Sequence, residues 1–461
     1  MSYTRTFLIC MSLLGTSISA ASEDALNKPT KPNILVLIAD DAGMDFGCYG
    51  NNGIKTPNID ALAASGLKIE NAFLTASVCS PSRTSMITGQ FAHTIGTEYL
   101  SSKIDASIKT IPEYLREQGY FTGLMLKNHM EGRDGDRRFH WYDGGYGLYT
   151  KNPVEWERTL ADSFSTFLDL ADDKPFFMWL GFIDPHRPYN DHPIEMVNDP
   201  KEVTVPPFLV DDEATRRDLA DYYDEISRLD GHVGEIVALL KSRKQLENTL
   251  IVFVSDNGMP FPRAKITVYD AGIQTPLIFS WGDRIEAGRV FDKSLVSTID
   301  LAPTLLDVAG IAKPAPMYGE SLLPLLLGDT TSSREHIFAE HHYKRSDYHL
   351  FTIRSATHKL IYTAGENAHQ PLGTTRAAYT SPSWLALKEK QKAQELTPAQ
   401  QRFFEDPRAQ IEFYDLAADP HELKNIADRP ENQTIVRDLL ERLQRWRRET
   451  NDPYLETKAV E

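Results

Sequence analysis

Cysteine is almost absent from this chain, with only Cys10, Cys48 and Cys79 among 461 residues. That scarcity excludes a disulfide framework as the source of stability. A single Cys48–Cys79 bond is the one pairing left open beyond the leader. Positive charge is also short: 49 Lys and Arg stand against 65 Asp and Glu, a formal charge of −16. An acidic surface argues against a nucleic-acid partner, and any anionic ligand must find a local basic pocket. Long apolar runs are missing as well, so no membrane span is expected. The run Phe7 to Leu14 is too short for one. With Arg5 ahead of it and Ser19-Ala20-Ala21 behind, residues 1–21 read as a cleaved secretory signal, cut after Ala21 or, as second choice, Ala20. Cys10 lies inside the run, which argues against a lipoprotein anchor. Export to the periplasm or beyond the cell is expected. Repeats and low-complexity tracts are absent too.

What is present has ordinary globular proportions, 41% hydrophobic and 25% charged, in a chain long enough for two domains. Short β-branched runs alternate with amphipathic stretches, which predicts an α/β fold with a mostly parallel sheet. Buried strands are expected at Asn33–Ala39, Thr122–Leu126, Phe176–Phe182 and Thr249–Val254. Leu219, Tyr222, Ile226, Leu229, Val233, Ile236 and Leu240 recur at helical spacing and predict a long helix over 212–243. Segments 133–156 and 187–211, rich in Gly, Asp, Pro and aromatics, read as loops framing a pocket. Composition changes near 325–335, placing a boundary between a catalytic domain, 22–333, and a C-terminal α+β part, 334–461. There, Leu350–Ile353 and Leu360–Thr363 read as antiparallel strands, and Ile435, Leu439, Leu443 and Trp446 as a last helix.

Residues able to do chemistry follow each of the four strands. The first runs into Asp40-Asp41 and the fourth into Asp256-Asn257. Open parallel sheets hold their ligands just beyond the strand C-termini. Three carboxylates and an amide oxygen there suit a hard divalent cation, Ca²⁺ before Mg²⁺ by ligand number. The second strand leads into Lys127-Asn128-His129 and the third into Asp184-Pro185-His186-Arg187, while Lys265 lies eight residues after Asn257. Taken singly, Asp-Asp and Asp-Asn-Gly are common turn residues and a lysine is usually solvated. Cys79-Ser80-Pro81-Ser82-Arg83 then stands out. Pro81 suits a first helical turn and Gly89 a C-terminal cap, so position 79 sits at a helix N-terminus, which favours an anion. Arg83 lies one turn along on the same side.

This pentapeptide, extended through Thr84-Ser85-Met86-Ile87-Thr88-Gly89, resembles the signature of type I, formylglycine-dependent sulfatases of the alkaline-phosphatase-like superfamily. The other blocks follow in the order typical of that family, from Asn33 to about Asp452. The resemblance implies an alkaline-phosphatase-like fold, with a large mixed, mostly parallel sheet flanked by helices and a smaller antiparallel C-terminal sheet. It implies oxidation of Cys79 to formylglycine (3-oxoalanine) by a formylglycine-generating or other sulfatase-maturing enzyme. One Ca²⁺ would be held by Asp40, Asp41, Asp256, Asn257 and the modified Cys79. Arg83 would bind the aldehyde hydrate, and Lys127, His129, His186 and Lys265 would surround the sulfate, with His129 as base and His186 as acid. The phrases Ala39-Asp40-Asp41-Ala42-Gly43, Asp184-Pro185-His186-Arg187 and Ser255 through Pro262 are similar to the heparan N-sulfatase (N-sulfoglucosamine sulfohydrolase) branch. That branch carries arginine where Lys265 stands, and a lysine lacks the guanidinium fork. The implied substrate is a sulfated glycan, N-sulfoglucosamine first and an algal polysaccharide sulfate ester second. A phosphonate or phosphodiester hydrolase on the same scaffold, or a glycan-binding protein with an unmodified thiol, are the competing classes. The oligomeric state, a homodimer included, is open from sequence.

Overall fold

The structure, a computed structural model, describes residues 31–130, 138–144, 160–189, 198–329, 334–343, 348–365, 378–405 and 408–455. The expected signal at 1–21 lies outside these residues, as do 133–137, 145–156 and 190–197 of the two expected pocket loops. Pro32–Glu461 forms one compact unit. Among the described residues no helix is long and apolar enough to cross a membrane. Cys48 and Cys79 are both free thiols.

Four parallel strands make the centre: β1 (Asn33–Ala39), β2 (Phe121–Leu126), β3 (Phe176–Gly181) and β4 (Thr249–Ser255). The sheet runs Trp141–Asp143, β2, β3, β1, β4, Leu277–Ser280, Leu67–Ile69, Arg289–Phe291. In β1, Val36 is opposite Trp179 on one side and Val252 on the other. Both faces are covered, which is why β1 reads as an unbroken apolar run and not an alternation. Leu35 and Leu37 enter one core, Ile34, Val36 and Ile38 the other. The expectation of an unstructured 133–156 needs correction at Trp141–Asp143, which pairs parallel with β2. Three residues at a sheet edge are too few for a two-residue alternation to be legible.

Helix α1 (Cys79–Thr88) is buried throughout, and Gly89 caps it with a positive φ of 67°. Helix α2 (Glu213–Ser242) starts where Asp212 accepts a hydrogen bond from the Thr215 N–H at 2.8 Å. Its apolar stripe, Leu219 to Leu240, covers the face of the sheet that carries Leu35 and Leu37. Beyond Gly328 come β5 (Ile337–His342), β6 (His349–Arg354), β7 (His358–Ala364) and β8 (Ile411–Asp415), antiparallel in that order. Helix α3 (Gln433–Glu449) lays Val436, Leu439, Leu443 and Trp446 on this second sheet.

The two sheets meet close to Cys79. Glu340 in β5 bridges Ala76, and its N–H donates to Thr75 O at 2.9 Å. Its buried carboxylate lies 2.5 Å from His93 Nδ1 and 3.2 Å from His342 Nε2, while His93 Nε2 meets Thr450 Oγ1 at 2.9 Å. Burial opposes a charge on either group; against it Glu340 raises His93, and His93 with His342 lowers Glu340. His93 is held above the usual histidine range and Glu340 well below the carboxylate range. Breaking a buried pair by removing one partner typically costs about 3–5 kcal/mol. Glu340→Gln is therefore expected to lower the melting temperature. The raised His93 contributes fully below the ordinary histidine value of 6.5 and less as pH rises through its folded pKa. The depressed Glu340 contributes above the ordinary glutamate value of 4.5 and less as pH falls. The gap between wild type and variant should thus be widest at intermediate pH, between those two values, and shrink toward alkaline pH, as calorimetric melts across pH would show.

Candidate active site

Because β2, β3, β1 and β4 are adjacent and parallel, their C-terminal ends open on one side of the sheet. Asp40 and Asp41 leave β1, Lys127 to His129 leave β2, Asp184 to Arg187 lie beyond β3, and Asp256 and Asn257 leave β4. Asp40 N–H donates to Asp184 O at 3.0 Å and Asp256 N–H to Ala39 O at 3.0 Å, so the exits stay in register. Asp41, Leu126, His129, Arg263 and Ile266 all have positive φ, from 53° to 72°. Such backbone is costly for non-glycine residues and persists where surrounding contacts enforce it, often at functional sites.

Three carboxylates and three cations meet there with almost no solvent. Lys127 Nζ pairs with Asp40 Oδ2. Lys265 Nζ lies 2.5 and 2.7 Å from the two oxygens of Asp41 and 3.3 Å from Cys79 Sγ. Arg83 Nε donates to Asp256 Oδ2 at 2.7 Å, and its Nη1 donates to Lys127 O at 3.3 Å. Gly181 makes that last approach possible, since a Cβ there would stand 2.5 Å from Arg83 Nη1 and from Lys127 O. Cys79 Sγ is 3.6 Å from Asp40 Oδ1 and 4.0 Å from Asp41 Oδ1.

The charges set the protonation states. Burial pushes the Cys79 thiol up to about 12, although Lys127 and Lys265 pull against it. Burial would raise Asp41 too, but Lys265 together with His186 and Lys127 holds the carboxyl below its usual range. Lys127 and Lys265 stay charged in spite of burial because of Asp40 and Asp41 respectively. Burial and then the Lys127 charge lower His129 to about 2, and burial and then Lys265 lower His186. Both imidazoles are therefore held neutral.

Ligand atoms of Asp40, Asp41, Cys79 and His186 all lie within 4.8 Å of one another. Asn257 Oδ1 is buried without a hydrogen-bond partner among the described residues, while its Nδ2 donates to Asp41 Oδ1 at 2.6 Å. An orphaned amide oxygen beside clustered carboxylates fits a hard divalent cation. Asp256, expected in the same ligand set, accepts the Asp41 N–H on Oδ1 at 3.2 Å and Arg83 Nε on Oδ2 at 2.7 Å, and His186 is among the clustered ligand atoms.

Sequence reasoning passed over the groups that hold these residues in place. Arg187 forks onto Asp218 at 2.6 and 2.8 Å, donates Nε to Pro260 O at 3.0 Å, and lies over the rings of Tyr189 and Phe261. It thereby ties the His186 segment to α2 and to the loop that carries Lys265. Arg228 forks onto Asp184 at 2.8 and 2.6 Å, and Tyr222 donates its hydroxyl to Ala42 O. Asp218, Glu225 and Arg228 were legible as polar breaks on the buried side of α2. His232 sits near Glu235 at the surface, and His369 lies outside the described residues.

The family model described as Sulfatase matches residues 32–311. A second, described as N-sulphoglucosamine sulphohydrolase, C-terminal, matches 263–370. The chain is 30% identical to human N-sulphoglucosamine sulphohydrolase, over 92% of this chain and 91% of that protein. It is 26% identical to an ulvan-active sulfatase of Formosa agariphila, over 95% of this chain and 79% of that one. Among solved structures, a phosphonate monoester hydrolase of Agrobacterium radiobacter superposes with a TM-score of 0.70 at 19% identity, covering 91% of this chain and 96% of its own. A protein solved with its substrate D-glucosamine-2-N,6-O-disulfate gives 0.68 at 20% identity, covering 93% and 100%.

Ca²⁺ is expected to raise the melting temperature of the purified protein. Asn257→Ala, which removes the orphaned oxygen, should weaken Ca²⁺ binding by about tenfold or more in a calorimetric titration; unchanged affinity would place Asn257 outside the site.

Proposed function

This chain belongs to the sulfatase family, and on that premise we propose that it removes the N-sulfate of glucosamine in heparan- or heparin-type glycans. The observation that carries this reading is the match of residues 263–370 to the C-terminal part of N-sulphoglucosamine sulphohydrolases. That stretch holds Lys265 of the site and β5 with β6 of the second sheet, the side of the cleft a sugar would meet.

The chemistry follows from the residue types. A sulfuryl group resists attack because its oxygens are negative and its leaving group departs with charge. Lys127, Lys265 and Arg83 form a preorganised basic floor for those oxygens, the arrangement that usually contributes most to catalysis. A bound Ca²⁺, held by Asp40, Asp41, Asn257 and their neighbours, would supply Lewis-acid stabilisation and release the lysines from full pairing with carboxylates. The nucleophile we assign is the hydrate of formylglycine at position 79, made by a maturing enzyme and oriented by Arg83. We assign His129, by the family resemblance, the role of base that takes a proton from a hydroxyl at position 79. The charged Lys265 is suited to pass a proton to the departing nitrogen or oxygen; His186, neutral as it stands, would first have to gain one. Export through cleavage of residues 1–21 belongs to the same proposal, since glycans of this kind lie outside the cytoplasm.

A second reading, an O-sulfatase acting on an algal polysaccharide, is favoured by Lys265 and by the ulvan-active relatives. Lysine holds one oxygen as a point charge and lacks the planar fork.

Three outcomes are expected. Cys79→Ala should stay folded and release no sulfate; near-wild-type release from that variant would contradict the nucleophile assignment. Lys265→Ala should lose about 2–4 kcal/mol of transition-state stabilisation in kcat/KM, as for one charge-stabilising donor. Lys265→Arg should raise turnover of N-sulfoglucosamine relative to O-sulfated sugars. Free-sulfate assays on defined monosaccharides read all three, and wild-type preference for O-sulfates would decide for the second reading.

A further inference from the structure

The second sheet brings a set of unsatisfied hydrogen-bond donors to one end, and that end touches the catalytic loop. The register pairs His342 with His349, and His349 with Ala364, while Thr363 N–H donates to Gln410 O at 2.8 Å. Tyr343 after β5, Tyr348 before β6, Thr363 in β7 and Arg408 before β8 therefore lie at the same end. Tyr343 donates its hydroxyl to Ile266 O at 3.1 Å, one residue from Lys265, and its ring stands 5.2 Å from that of Tyr348.

Arg408 is 6% exposed and Tyr348 and Thr363 are each 1% exposed. Nε and Nη2 of Arg408, the hydroxyls of Tyr348 and Thr363, and Nε2 of Gln410 are buried without a hydrogen-bond partner among the described residues. Arg408 and Thr363 lie beside the Tyr348 hydroxyl, yet neither closes a bond of ordinary length and angle. Glu412 does not serve Arg408, since its Oε2 takes Arg402 and Tyr269 at 2.7 Å each, and Tyr414 as well. Burial raises the phenol pKa values of Tyr269, Tyr343 and Tyr348, and the Arg408 charge draws each back, so all three lie within its electrostatic reach.

Buried polar groups in native proteins are paired, and a buried charge without a counter-charge is strongly unfavourable. The cluster is made of a cation, an amide N–H and two hydroxyls, all able to donate. What completes it must accept hydrogen bonds and carry negative charge.

The geometry points to Arg408, with Tyr348 and Thr363, as a second anion-binding subsite that grips a carboxylate or further sulfate on the same glycan whose sulfate is removed beside Lys265. This rests on the glycan sulfatase reading, and it makes Arg408 a specificity-determining residue. A guanidinium fork suits either oxyanion, since both present two oxygens in a plane.

Three N-sulfated disaccharides test it with the matured full-length enzyme: one bearing a uronic carboxylate, its carboxyl-reduced counterpart, and the reduced form carrying a further O-sulfate. Wild type is expected to prefer one or both charged forms over the reduced form by about tenfold or more in kcat/KM. Arg408→Met should bring that ratio close to one, and Arg408→Lys should keep part of it. Whichever charged form is preferred identifies the natural oxyanion. No preference in wild type, or a preference that survives in Arg408→Met, overturns the subsite. A second readout needs no turnover. Glucuronate at millimolar concentration should raise the melting temperature of wild type and not that of Arg408→Met. The ligand-free Met variant should melt no lower than wild type, because it sheds an uncompensated charge. A Met variant that fails to fold would show a structural guanidinium and likewise overturn the subsite. If no disaccharide releases sulfate while the glucuronate shift appears only in wild type, the substrate reading fails and the subsite stands.

Discussion

Everything in this molecule is arranged around three carboxylates and three cations buried at the mouth of a parallel sheet. Asp40, Asp41 and Asp256 face Lys127, Lys265 and Arg83 in a space almost without water. None of these six could be buried alone, because a solitary charge in a low-dielectric interior is too unfavourable. Together they compensate, and they do so with no surplus. A divalent cation added to the set would leave a net positive pocket, which favours an oxyanion. The strand ends supply the rigidity that holds like charges so close. The carboxylate pair at Asp40 and Asp41 comes from a single strand exit, with Asp41 forced into positive φ.

The scaffold fixes this arrangement from three directions. From below, β1 and its neighbours set the spacing of the exits through backbone register. From the side, α2 reaches in with Asp218, Glu225, Arg228 and Tyr222, so that a helix with an apolar stripe also carries the struts of the site. From the other flank, β5 lies against Thr75 and Ala76, and Tyr343 holds Ile266. The second sheet is therefore part of the wall of the cleft and not an appendage.

Much of this was legible in the chain. The strand Asn33–Ala39 has the bounds its composition dictates, and the long helix ends within a residue of its periodicity. The strand-end residues converge because parallel neighbours must deliver their C-termini to one side, which apolar runs followed by charged pairs announce. Short edge strands were not legible; Trp141–Asp143 has no alternation to read. Nor were long-range partners: nothing local to Arg187 names Asp218, and nothing near Glu340 names His93. Ion pairs between distant segments are set by how the sheets dock, and periodicity carries no record of that. Lys265 was placed at the site by resemblance, and its contact with both Asp41 and Cys79 emerged only from the loop bound to Ser77 and Met259.

Helix α1 has no exposed residue, and Cys79 at its first position is 1% exposed. Under the proposed chemistry, an enzyme that oxidises this side chain would find it out of reach once the core has closed around Ser80 to Thr88. Packing would then confine the alteration to a polypeptide still extended, and a molecule that closed first would keep its thiol.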